Sequence, residues 1–125
     1  MKNNPNPQLK DGFLKIANEL IEALSRTNLS GQEFRIILAI IRKTYGFNKK
    51  SDYISRSQFT AITGISDPHR ISQLTKQLSS KNLLIKNPEK GKTTKFRINK
   101  NYSTWKGYNP LKKVNGSTGN PLGKV

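Results

Sequence analysis

Two capping boxes constrain the fold of this chain more than any other feature of its sequence. In each box a serine is followed three residues later by Glu or Gln, so that each side chain can accept the other residue's free backbone N–H. The boxes stand at residues 30–33 and 55–58. The first predicts a central core helix that runs to Thr44, and the second predicts a short helix that ends at Gly64. The side chains expected in the core from these two helices are Phe34, Ile37, Leu38, Ile40, Ile41, Phe59 and Ile62.

A third helix and a hairpin follow the short helix. The third helix runs to about residue 81, and Ser66 or Asp67 can cap it. Pro68 stands in its first turn, where a missing backbone N–H costs nothing. Residues 83–86 and 94–98 read as two strands around a polar turn. Two helices joined by a tight turn and followed by a basic hairpin have the order of a winged helix–turn–helix. We therefore expect a mainly α domain with a small β-hairpin.

The two ends of the chain are polar. Residues 1–11 contain two prolines and predict a disordered arm, and a short helix capped by Asn18 follows it. Residues 100–125 are rich in Gly, Pro, Asn, Ser and Lys and predict a basic, mostly disordered tail or linker. Its aromatic anchors are Tyr102, Trp105 and Tyr108. One winged-helix domain is thus expected over residues 12–99.

The positive charge of the chain is concentrated after its first third. Residues 1–41 carry a net charge of +1, whereas residues 42–125 carry +15. A charge excess of this kind implies an acidic partner, and nucleic acid is the first candidate. The boundary falls at the block Arg-Lys-Thr-Tyr-Gly-Phe-Asn-Lys-Lys, residues 42–50. Tyr45 and Phe47 of this block are expected to pack in the core or against the hairpin rather than to stack on bases.

Several classes of function find little support in the composition. The chain has no cysteine and one histidine, so thiolate metal sites and disulfides are excluded and no metal or cofactor is expected. Paired acids, a nucleophile–base pair and a glycine-rich phosphate loop are missing, so we expect no enzyme. No apolar run approaches the ~18–20 residues of a membrane span, and a cytoplasmic, nucleoid-associated protein is expected.

The exposed side of the third helix is the predicted recognition surface for double-stranded DNA. Its N-terminal polar residues can meet base edges in a major groove, and the hairpin turn and the start of the short helix can meet phosphates. The expected base contacts are Ser66, His69, Arg70 and Gln73. The expected backbone contacts are Ser55, Arg56, Ser57, Lys76, Lys90, Lys92 and Lys95. Arg42, Lys43, Lys49 and Lys50 could touch either phosphates or an acidic protein.

Several short stretches resemble a known family. They lie at residues 16–20, 29–35, 41–50, 54–58, 63–65 and 82–85, and the most specific of them is Arg-Lys-Thr-Tyr-Gly-Phe. In this order they resemble the N-terminal domain of bacteriophage replication protein O, the lambda-type origin initiator. The resemblance covers about residues 12–98. It implies a winged-helix domain that binds repeated sites in a phage replication origin as a homodimer. It also implies that the origin-bound protein begins assembly of the host replication proteins, which a C-terminal region contacts in that family.

The residues alone leave two alternatives open. One is a transcriptional repressor of the same fold, which would prefer a site at a promoter rather than repeats in an origin. The other is a basic adaptor that binds an acidic protein surface and shows no specific preference for duplex DNA.

Overall fold

The computed structural model describes residues 4–110. Four α-helices and a three-stranded antiparallel sheet make up this part of the chain. The helices are α1 (Asn18–Ser25), α2 (Gly31–Thr44), α3 (Arg56–Thr63) and α4 (Pro68–Ser80), and the strands are β1 (Asp52–Tyr53), β2 (Leu84–Asn87) and β3 (Lys95–Ile98). The fold is mainly α with a small sheet, as predicted. No helix in the described range is long and apolar enough to cross a membrane.

Helix α2 lies at the centre of the domain and packs against α3, α4, β1 and β3. Its capping box is present: Ser30 Oγ accepts from the backbone N–H of Glu33 at 3.1 Å, and Glu33 Oε1 accepts from that of Ser30 at 2.9 Å. The buried apolar residues of α2 are Ile36, Ile37, Ala39, Ile40 and Ile41. Phe34 is only partly buried, and the prediction that Leu38 is a core residue is wrong. Leu38 is 58% exposed, because it lies on the side of the helix opposite Ile40.

Helices α3 and α4 are joined by a turn at Gly64. Gly64 has a left-handed φ of 76° and donates its backbone N–H to the Thr60 carbonyl at 2.8 Å. Glycine adopts this conformation without the strain that a Cβ would cause. Asp67 is the cap of α4, since its Oδ1 accepts from the backbone N–H of His69 at 2.9 Å. The prediction that Ile62 faces inward is wrong: Ile62 is 42% exposed, and Phe59 is the buried residue of α3.

The sheet contains the predicted hairpin and one further strand. Strands β2 and β3 pair antiparallel with Leu84 opposite Ile98, and β1 pairs with the other edge of β3 with Tyr53 opposite Lys95. The strand order is therefore β1-β3-β2. Strand β1 was not predicted, because two residues are too few to show the alternation that marks a strand in a sequence.

The segment of residues 99–110 packs onto the domain, which differs from the disordered tail expected after residue 99. Trp105 is buried, and its indole N–H donates to the Asn99 carbonyl at 2.8 Å. The backbone N–H of Lys106 donates to the carbonyl of Lys81 at 2.9 Å. The apolar area of Trp105 and these backbone bonds give this polar segment a fixed place beside α4.

The N-terminal part of the domain shows one further correction. The arm expected over residues 1–11 is described from residue 4, where it is exposed and contains a 3-10 turn at Leu9–Asp11. Asn18 is the first helical residue of α1 rather than its cap. Ala17 occupies the cap position, and no side-chain hydrogen bond closes this end of α1. Residues 111–125 of the predicted tail lie outside the described residues.

Candidate nucleic-acid interface

The outer face of α4 carries most of the predicted base contacts. Ile71, Leu74 and Leu78 are buried, which turns the opposite side of the helix to solvent. The exposed residues of α4 and its preceding turn include Ser66, His69, Ser72, Gln73, Lys76 and Gln77. We call this set the α4 face. It offers hydroxyl, imidazole, amide and ammonium groups, which can donate to or accept from base edges and phosphates.

Arg70 is the exception among the four predicted base contacts. It is half-buried at the edge of α4, where its Nε donates to Gln32 Oε1 at 2.7 Å. Its Nη1 donates to Gln73 Oε1 at 3.3 Å. Arg70 therefore ties α4 to the start of α2 and holds the Gln73 side chain. The Gln73 amide N–H groups and the remaining guanidinium N–H groups of Arg70 are the donors that this pair offers to a base.

Ser55, one of the residues predicted to contact a phosphate at the start of α3, caps this helix instead. Ser55 Oγ accepts from the backbone N–H of Gln58 at 3.1 Å, and Gln58 Oε1 accepts from that of Ser55 at 2.9 Å. The hydroxyls of Ser55 and Ser57 lie 3.0 Å apart. Ser57 and Arg56 are exposed. Arg56 is thus the charged group that this helix start presents.

A cleft of about 330 Å³ lies where the start of α3, the flank of α4 and the hairpin meet. Its apolar floor includes Phe59 and Phe96, whose rings meet edge to face at 5.2 Å between centroids. The polar groups of its wall are Ser55, Arg56, Ser72, Thr75, Lys86, Lys92, Thr93 and Thr94. No carboxylate belongs to the described lining. A wall of cations and hydroxyls around an apolar floor favours an anion such as a phosphate.

The β2–β3 loop, residues 88–94, owes its arrangement to the unpredicted strand β1. The hydroxyl of Tyr53 donates to the carboxylate of Glu89 at 3.0 Å. The Nζ atoms of Lys92 and Lys95 lie 5.7 and 5.3 Å from the centroid of the Tyr53 ring. Lys92 also pairs with Glu89 at 3.8 Å, whereas Lys90 is exposed. Two of the lysines predicted to contact the DNA backbone therefore lie beside Tyr53, a residue that the sequence did not single out.

The block of residues 42–50 lies at the end of α2 and is only partly free. Lys43 and Lys49 lie 3.7 and 3.8 Å from the Asp52 carboxylate, which lowers the charge they offer to a polyanion. The Arg42 guanidinium lies 5.0 Å from the Phe47 ring centroid. Lys50 is exposed. This block thus forms a mixed surface in which half of the cations already have a carboxylate partner.

The two aromatic residues of that block have different outcomes. Tyr45 is partly buried against the core, as predicted, and this burial raises the pKa of its phenol. The prediction of core or hairpin packing is wrong for Phe47, whose side chain is 54% exposed. The reason is the 3-10 turn at Tyr45–Phe47, which ends at a left-handed Asn48 and turns the ring outward beneath Arg42.

An ion pair between a half-buried lysine and a buried carboxylate lies at the far end of α4. Lys81 Nζ lies 2.8 Å from Glu33 Oε2, and the Glu33 side chain is almost fully buried. Burial by itself would raise the pKa of the Glu33 carboxyl. The Lys81 ammonium and the backbone N–H of Ser30 outweigh it and hold that pKa below its ordinary value of 4.5. The positive charge of Lys81 is consequently paired with the Glu33 carboxylate, although Lys81 directly follows the recognition surface in the sequence.

Comparison with known proteins places the chain among phage replication proteins. The family model for bacteriophage replication protein O matches residues 6–105. Relatives are DNA replication protein gp18 of Salmonella phage P22, 38% identical over 113 residues, replication protein 15 of Enterobacteria phage phi80, 33% identical over 97 residues, and replication protein O of Escherichia phage lambda, 37% identical over 97 residues. The matches cover 87%, 78% and 78% of this chain.

The chain spans about a third of the length of these curated relatives, since the matches cover 36%, 32% and 27% of them. No solved structure matches the chain significantly. The family match extends over the whole helix and sheet region, including α4 and the basic hairpin. The chain therefore belongs to the bacteriophage replication protein O family.

Proposed function

We propose that this chain is a double-stranded DNA-binding module that recognises repeated sites in a phage replication origin and so initiates DNA replication. In this proposal α3, the Gly64 turn and α4 form a helix–turn–helix, and the β2–β3 hairpin is its wing. The observation that carries the proposal is the α4 face lying beside a cleft whose wall holds Arg56, Lys86 and Lys92 and whose lining, within residues 4–110, includes no carboxylate.

The α4 face is the part proposed to read sequence. An α-helix about 10–12 Å in diameter fits the ~12 Å wide major groove. The N-terminal residues of a recognition helix reach base edges, so Ser66, His69 and Gln73 are proposed to read the site. Arg70 is proposed to join them by exchanging its bonds to Gln32 and Gln73 for bonds to a base.

The cleft and the loop are proposed to hold the DNA backbone. Phosphate contacts fix register without reading sequence, and each one releases counterions. About six such contacts would give a slope of log K against log salt near roughly −5. Lys90, Lys92 and Lys95 on the hairpin, Arg56 and Ser57 at the start of α3, and Lys76 on α4 are the proposed backbone contacts.

The replication role rests on the relatives, which are phage replication proteins by name. A homodimer on repeated sites, recruitment of host replication proteins and action in the host cytoplasm are part of the same proposal. We also propose a binding protein rather than an enzyme, because the interface gathers cations, hydroxyls and amides around an apolar floor. Sedimentation of the chain alone and on a two-site duplex would test the dimer.

Selection from a pool of random duplexes tests the proposal directly. The bound sequences should match repeats in the origin of the phage that encodes this chain, and binding should survive about 0.15 M salt with competitor DNA present. A preferred site at a promoter would favour a repressor instead. Binding that shows no preference among duplexes would overturn sequence-specific recognition and favour an adaptor for acidic proteins.

A further inference from the structure

A second groove lies along α4, on the flank away from the cleft. Its volume is about 510 Å³, and it is lined by Gln73, Lys76, Gln77, Ser80, Lys81 and Lys106. The cleft on the hairpin side is lined by other α4 residues, among them Ser72 and Thr75. Ser72 and Gln77 are five residues apart and thus roughly 140° apart around the helix. The second groove thus takes in Gln73, Lys76 and Gln77, the side of the α4 face that is turned away from the cleft.

The second groove is built partly by the segment of residues 99–110. The backbone N–H of Lys106 donates to the carbonyl of Lys81, the residue that ends α4, at 2.9 Å. Asn82, in a left-handed conformation with a φ of 66°, donates from Nδ2 to the carbonyl of Thr104 at 3.1 Å. Trp105 is buried between these two contacts. The backbone of Lys106 is consequently fixed against the end of α4, and its exposed side chain lines the groove.

The charge of the second groove suits an anion. The Lys81 ammonium lies 2.8 Å from the Glu33 carboxylate, which balances its charge. Lys76 and Lys106 are the other cations among the described lining residues. The other lining groups are amides and a hydroxyl, and no lining residue is acidic. Two lysines on different elements that face one groove can contact neighbouring phosphates.

We propose that Lys106 contacts a phosphate of the DNA backbone on the flank of α4 opposite the hairpin. This inference rests on the proposed function. A helix inserted in a major groove has one phosphate backbone on each flank, because the two strands wall the groove. The hairpin cations serve one backbone, and Lys106 together with Lys76 serves the other. The segment of residues 99–110 is thus a second arm of the interface rather than a linker.

The test compares two lysine substitutions on the same segment of the 125-residue chain. Lys106→Ala should weaken binding to all duplexes by roughly fivefold to tenfold at 0.15 M salt and flatten the salt slope by about 1. Lys100→Ala is the matched control, since Lys100 has the same charge but lies over the Tyr45 ring, 5.6 Å from its centroid. It should change affinity less than twofold. Both variants keep the backbone bond of residue 106, so thermal melts should coincide.

Duplexes with single methylphosphonates, which lack the phosphate charge, locate the contact. Neutralising one particular phosphate should weaken DNA binding by the unsubstituted chain but not by the Lys106→Ala variant. A different phosphate should behave in this way for the Lys92→Ala variant. The two phosphates should lie on opposite sides of the major groove. Unchanged affinity of Lys106→Ala, or an equal loss in Lys100→Ala, would overturn the proposal. A chain that prefers no duplex at all would instead overturn the proposed function, whatever the variants do.

Discussion

The α4 face and the β2–β3 loop differ in how their side chains are held. The α4 face stands on a helix of thirteen residues whose other side is buried in the core, so the spacing of its short polar groups is fixed by the helix itself. Lys92 of the loop and Lys95, which follows it at the start of β3, both lie beside the ring of one tyrosine from a neighbouring strand. Rigid polar groups suit the reading of bases, and gathered cations suit a phosphate backbone that looks alike in every sequence.

The largest expected effect comes from removing three lysines of the β2–β3 hairpin, two in the loop and one at the start of β3. The triple substitution of Lys90, Lys92 and Lys95 to alanine should weaken binding to all duplexes by roughly 100-fold at 0.15 M salt and reduce the salt slope by about 3. The preferred sequence should not change. Affinity against salt for a preferred and a shuffled duplex gives both quantities. A changed sequence preference would show that the loop reads bases, and the contrast with α4 would fail.

The next effect comes from the α4 face. Gln73→Ala should reduce the difference in binding free energy between preferred and mismatched sites by about 1–3 kcal/mol and leave the salt slope unchanged. Gln77→Ala is the control, because it makes the same chemical change one turn nearer the C-terminus of the helix, where base contacts are fewer. Competition binding against single-base variants measures this. Equal losses from both variants would argue against reading by the N-terminal half of α4.

Arg70, at the edge of the α4 face, offers a sharper test. Arg70→Ala removes a proposed base contact together with the bonds to Gln32 and Gln73, whereas Gln32→Ala removes only the bond to Gln32. If Arg70 reads a base, discrimination should fall about tenfold in the first variant and stay within about twofold in the second. Similar discrimination in both variants would assign Arg70 to positioning α4 alone.

The far end of α4 should respond to acid. Because the pKa of Glu33 is lower in the folded chain than its ordinary 4.5, its contribution to stability is present above pH 4.5 and is lost as the pH falls through the folded value. Glu33→Gln should lower the free energy of unfolding at neutral pH by about 1–3 kcal/mol and weaken its dependence on acid. Urea unfolding from pH 7 to pH 3 measures this. An acid response of the same size in the variant would exclude Glu33 as its source.

The smallest effect is expected from the tyrosine that gathers the loop. Tyr53→Phe keeps the ring beneath Lys92 and Lys95 but removes the hydrogen bond to Glu89, which is exposed and worth less than about 1 kcal/mol. Affinity should fall about twofold to threefold for all duplexes with little change in the salt slope. Tyr53→Ala removes the ring as well and should weaken binding further. Equal DNA affinity of the unsubstituted chain and the Tyr53→Ala variant would show that Lys92 and Lys95 do not need the Tyr53 ring to bind DNA.

The parts of the fold that could be predicted are those governed by near neighbours in the chain. Both capping boxes, the Asp67 cap and the Gly64 turn depend on residues within four positions of one another. The exposed side of α4 followed from the helical spacing of Ile71, Leu74 and Leu78. The prediction failed for Leu38 and Ile62, because periodicity marks an apolar face but does not show which side of it another element covers.

The sequence by itself determined the order of the four helices and the hairpin, the solvent-facing side of α4, the basic character of the hairpin and the family. Only the tertiary structure decided which charged groups are free. It joined Tyr53 to Glu89, Gln32 to Arg70 and Glu33 to Lys81, and it placed Lys106 beside α4. These partners are 25 to 48 residues apart in the chain. No local pattern specifies such pairs, since they arise from the way the helices and strands pack.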